Sequence, residues 1–208
     1  MKKRSYRKMA EDEESEKEEG NEIVRCKTDL FFYATVSQKN IRTLLGLVEE
    51  AKQEAYKWST GRVTLYINTE GGDLHAGLSG MDHLEKQFQD CGLELWTVAD
   101  GWVASAGTLL LLSGSRRFSM PHASLLVHSL STYIEGKAQE ILNEATNTRK
   151  LHNLVRDIYM QRCNLKKTEV ISMLAKESMF TFKESMKMGF VEGELPPPLS
   201  RLNEHIRF

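Results

Sequence analysis

Three short apolar runs recur along this chain, each rich in aromatic or β-branched residues and each followed by turn residues and a segment of helical period. They are Asp29 to Val36 (DLFFYATV), Val63 to Asn68 (VTLYIN) and Leu93 to Ala99 (LELWTVA). After the first, Ser37 offers a helix cap. Ile41, Leu44, Leu45, Val48 and Ala55 then recur at helical spacing to about Trp58, with Gly61 as the stop. After the second comes the turn Thr69-Glu70-Gly71-Gly72-Asp73, and then a helix to about Phe88. Strands that alternate with helices predict an α/β domain with a mainly parallel central sheet. Right-handed crossovers bring the loops that follow such strands to one edge, where α/β sheets carry their sites.

The third run feeds Gly101-Trp102-Val103-Ala104-Ser105-Ala106-Gly107 and the apolar stretch Thr108 to Leu112. A helix starting at Ser105 would leave its first N–H groups unpaired, beside a hydroxyl among small residues. Those are the conditions for a nucleophile next to an oxyanion site. A plain helix cap satisfies the same pattern. Gly71-Gly72 has the same two readings. Glycines there let N–H groups face an oxyanion, or they serve a tight turn. The phosphate-loop patterns GxxxxGK[ST] and GxGxxG are absent.

Arg117 to Met120 and Ser124 to His128 read as further strands, Gly136 to about Arg162 as a long helix, and Lys167 to Lys176 as another. Thr181-Phe182-Lys183-Glu184 is a capping box for a short helix that Gly189 stops. His128 ends its strand and could act as a general base, with His122, His75 and His83 as competitors. A carboxylate that orients the histidine would complete a triad, and Asp157 and Glu177 are the downstream candidates. The α/β-hydrolase elbow GxSxG is excluded, because Val103 stands where its glycine would be.

Net charge of −1 over 208 residues gives no case for nucleic acid or an anionic membrane. Cys26, Cys91 and Cys163 form no CxxC pair, which argues against a zinc site or a disulfide framework and favours a reducing, cytoplasmic compartment. The longest apolar run is too short to cross a bilayer. Residues 1–22 pass from basic to acidic and are expected to be a disordered tail or propeptide, with a domain over 23–195 and a second tail over 196–208.

Taken in order, these motifs resemble the ClpP family, the proteolytic subunit of the Clp protease. Tyr66 to Gly72 (YINTEGG) is similar to the family's YINSPGG turn, and Gly101 to Ala106 to its GxAASM motif. Arg117 to Pro121 resembles KRxxLP, Leu126-Val127-His128 resembles MIH, and Gly136-Lys137-Ala138 resembles GQA. Thr181 to Glu192 follows the family's last helix. Glu70 replaces a proline, Ala106 a methionine, and Ser129-Leu130 a Gln-Pro pair; the family's catalytic aspartate falls on Glu177.

The resemblance implies a ClpP/crotonase-like spiral and a serine endopeptidase. Ser105 would be the nucleophile, His128 the base and Glu177 its orienting partner, with the Gly72 and Ala106 N–H groups as the oxyanion hole. It implies no metal and no cofactor, ATP acting only through a partner AAA+ unfoldase. It also implies a homo-oligomer of stacked heptameric rings, with protein or peptide substrates. An inactive scaffold subunit and a crotonase-type acyl-CoA enzyme are the alternatives.

Overall fold

The computed structural model describes residues 22–132 and 134–197; of the expected tails, 1–22 and 196–208, all but Glu22 and residues 196–197 lie outside the described residues. Strands β1 (Glu22–Cys26), β2 (Asp29–Tyr33), β3 (Arg62–Thr69), β4 (Glu94–Ala104), β5 (Arg116–Ser119) and β8 (Gly193–Glu194) are adjacent in that order in one sheet. β6 (Ser124–Val127) pairs with β4, and β7 (Ser178–Thr181) pairs with β6. Only β1–β2 and β6–β7 are antiparallel, so the mainly parallel sheet read from the sequence is present.

The helices are α1 (Gln38–Trp58), α2 (Leu74–Phe88), α3 (Gly107–Leu112), α4 (Ala138–Arg162), α5 (Lys167–Ala175) and α6 (Phe182–Met188). Ser37 caps α1 through its Oγ, which accepts from Asn40 N–H at 3.2 Å. The helical-period residues Ile41, Leu44, Val48, Ala51 and Ala55 are the ones it buries. It ends at Trp58 as expected, and the residue that closes it is Ser59, in the left-handed conformation two residues before Gly61. Asp73 caps α2 by accepting from Ala76 N–H at 2.6 Å. At α6 the Thr181 N–H and hydroxyl both donate to the Glu184 carboxylate, and Gly189 closes the helix at φ 81°, as the capping box predicts. These hydrogen bonds, that from the backbone N–H foremost, hold the Glu184 carboxyl below its usual range.

Three corrections bear on the site. β4 does not end at Ala99 but continues to Ala104. The register slips at Asp100-Gly101 in a bulge: Ile67 pairs with Ala99, yet Thr69 pairs with Val103. Past that bulge β4 leaves β5 and takes β6 as its neighbour, Val103 facing Leu125. The helix after β4 starts at Gly107, so Ser105 is neither its first residue nor its cap. Finally, Ser178–Thr181, which the sequence did not mark as a strand, forms β7.

One core joins the sheet to the helices. Leu30, Phe32, Leu65 and Ile67 meet Leu44, Leu84 and Leu109 to Leu112. Every residue of α3 is buried. The junction between β4 and α3 is therefore anchored on both sides by buried structure.

Candidate active site

Ser105 sits between β4 and α3 at φ 53°, a left-handed conformation that a non-glycine residue holds at a cost of about 1 kcal/mol or more. Three contacts fix it there. Its N–H donates to the Leu126 carbonyl of β6 at 2.9 Å. Its carbonyl accepts from the Thr108 N–H at 3.0 Å and from the Thr108 hydroxyl at 2.7 Å. That hydroxyl has spent its proton, so the Tyr159 phenol, 2.7 Å away, donates to it. Tyr159 is 3% exposed, and burial raises its ionisation above the ordinary tyrosine range, which keeps the proton available. A chain of hydrogen bonds thus ties α4 to the backbone of Ser105.

Gly71-Gly72 packs directly against this turn. A Cβ on Gly71 would lie 2.6 Å from Ser105 Cβ and 2.8 Å from the Ala104 carbonyl oxygen. A Cβ on Gly72 would lie 2.3 Å from the Val36 carbonyl oxygen. Both residues have positive φ, at 93° and 144°. Close approach, and not only a turn, requires glycine at both places. Val36 bonds to the Gly71 carbonyl and the Asp73 N–H, each at 2.8 Å. The Gly72 N–H is left on the edge away from Val36. The Thr69 hydroxyl holds the turn, accepting from Gly71 N–H at 3.0 Å and donating to the Ala34 carbonyl at 2.6 Å.

His128 follows the last residue of β6. Its Nδ1 lies 2.6 Å from the Ser129 carbonyl oxygen. A carbonyl only accepts, so Nδ1 carries the proton, and Nε2 of the neutral ring is the free acceptor. This is the tautomer a general base needs, and a neighbouring backbone carbonyl sets it.

A cleft of about 380 Å³ is lined by Gly72, Ser105, Ala106 and His128 together. His75 lines it as well, whereas His83 and His122 do not. Glu177 does not line the cleft, and among the described residues no hydrogen bond joins it to His128. The orienting contact expected of Glu177 is made by Ser129. The sheet register explains how near Glu177 comes. Val127 pairs with Ser178, so His128 and Glu177 are the next positions along the same antiparallel ladder. Glu177 has φ 50°, where strand geometry ends, and the pairing stops there. The other candidate, Asp157, lies outside the cleft and is bound by its neighbour Arg156 at 2.7 Å.

Leu109 of α3 and Glu144, Thr148, Leu151, Val155 and Tyr159 of α4 also line the cleft, with the start of α2 and the segment after His128. The sequence marks α4 only as a long helix. The sole sequence trace of its role in the cleft is that these residues recur at spacings of three and four, one stripe of a helix.

A family model described as Clp protease matches residues 26–194. Matching relatives are each named ATP-dependent Clp protease proteolytic subunit. That of Staurastrum punctulatum is 26% identical over 171 residues, which are 78% of this chain and 79% of the relative. That of Huperzia lucidula is 32% identical over 149 residues, 67% and 69% of the two chains. For Chara vulgaris the figures are 30% over 137 residues, 64% and 61%.

Proposed function

Because the chain belongs to the Clp protease family, we propose that it is a serine endopeptidase whose nucleophile is Ser105. The observation that carries this is the convergence on one cleft of a strained serine turn, a histidine with Nε2 free, and two backbone N–H positions, Gly72 and Ala106. In this reading Ser105 Oγ attacks the scissile carbonyl carbon while His128 Nε2 takes its proton. The tetrahedral oxyanion accepts from the Gly72 and Ala106 N–H groups, each such donor being worth about 10²–10³ in rate. His128 then returns the proton to the leaving amine, and water repeats the sequence to release the acyl group. Glu177, one step beyond the ladder opposite His128, supplies the negative charge that stabilises the imidazolium.

The same reading includes self-assembly into stacked rings that enclose the sites, fed by an ATP-dependent unfoldase. Support for assembly is an α4 that buries only Val155 and Tyr159 among its residues. Among the described residues no helix is long and apolar enough to cross a membrane.

One observation favours the scaffold alternative: the carboxylate stands outside the cleft. Serine-directed fluorophosphonate labelling separates the two. Labelling of the wild type that disappears in Ser105→Ala is the expected result, together with short-peptide cleavage that disappears with it. A correctly assembled protein that neither labels nor cleaves would overturn the protease reading.

A further inference from the structure

Resting on Ser105 as the nucleophile, we propose that Glu144 determines specificity and that the cleft takes a basic side chain, lysine or arginine, from the residue whose carbonyl is attacked. Three observations converge. The deep wall of the cleft is apolar: Leu109, Val155 and Tyr159 are buried, and Leu151 adjoins them. Further along the same stripe of α4 come Thr148 and then the exposed Glu144. Among the described residues no lysine or arginine lines the cleft, and Glu144 has no ion-pair or hydrogen-bond partner. The other carboxylate there, Asp73, is engaged as the cap of α2.

A long cationic side chain fits this gradient. Its methylene stem covers the apolar wall while its head stays at the polar end, against Glu144. Leucine would gain the wall and lose the charge. Glutamate would bring a like charge to an unpaired carboxylate. A partly exposed ion pair contributes up to about 1 kcal/mol, a preference of about fivefold.

The test uses the full-length assembled protein and a matched peptide series carrying Lys, Arg, Leu or Glu before the cleaved bond. Lys and Arg peptides are expected to exceed Leu about fivefold in kcat/KM, with Glu lowest. In Glu144→Gln the Lys-to-Leu ratio should fall to about one, and Glu144→Lys should favour the Glu peptide. A wild type that prefers Leu, or a ratio unchanged in Glu144→Gln, overturns the proposal.

Anisotropy with the same labelled peptides on Ser105→Ala protein gives a readout free of turnover. Tighter binding of the Lys peptide, lost when Glu144→Gln is added, supports the assignment even where no peptide is cleaved; in that case it is the Ser105 reading that fails. Equal binding of Lys and Leu peptides overturns the Glu144 assignment.

Discussion

At the scale of the residue, the unusual feature is how His128 is held. In a triad whose carboxylate alone fixes the tautomer, removing that charge costs about 10⁴ in rate. Here the Ser129 carbonyl already binds Nδ1 at 2.6 Å. What remains for Glu177 is through-space stabilisation of the imidazolium, worth about 1.5–3 kcal/mol for unit charges several ångströms apart at the effective dielectric of a protein surface. Glu177→Gln is therefore expected to lower kcat/KM about 10- to 100-fold, while His128→Ala loses essentially all activity. A Glu177→Gln variant as inactive as His128→Ala would mean that the carboxylate replaces Ser129 during turnover. The candidate residues themselves were legible in the sequence, since small-residue turns and strand ends are local. The Ser129 contact was not, because any backbone carbonyl near a histidine can accept from it.

At the scale of the element, the double-glycine turn and the serine turn behave as one unit. Gly71 is packed so closely on Ser105 and Ala104 that an added methyl must move one of them. Gly71→Ala is expected to destabilise the fold by about 1–3 kcal/mol and to lower activity, read from the denaturant midpoint and from kcat/KM. Gly61→Ala is the matched control. It has a comparable positive φ of 72° but nothing within 4 Å of the new methyl, so it should show the backbone strain without the loss of activity. Equal losses in the two variants would show that close packing on Ser105 is not what the turn provides. The glycines and the small-residue turn around Ser105 were recognisable as sequence patterns. The bulge at Gly101 that hands β4 from β5 to β6 was not, because Asp-Gly is also a turn signal and only the pairing partner distinguishes the two.

At the scale of the whole molecule, α4 is the element the monomer leaves unfinished. Ile141 is 39% exposed, Leu142 61% and Leu154 46%. A helix with so much uncovered apolar surface calls for a partner, and a second copy of the same chain fits the family. Light scattering on the eluted protein is expected to give a mass several times the 23.8 kDa chain, and Leu142→Glu with Leu154→Glu should reduce it. A wild-type protein that runs as a 23.8 kDa monomer at micromolar concentration would remove the basis for an enclosed chamber.

The sequence by itself determined the alternation of strands and helices, the caps of α1 and α6, and the placing of Gly71-Gly72, Ser105 and His128 at strand ends. Periodicity and capping are written in neighbouring residues, so these could be read directly. Tertiary structure alone decided that β1 and β7 are strands, that β4 changes partners, and that a stripe of α4 forms the wall of the cleft. It also decided that Ser105 stands before its helix, pinned by Leu126, Thr108 and, through Thr108, Tyr159. Each of these depends on segments distant in the chain meeting in space, and a strand of four residues carries too little local preference to declare its own partner.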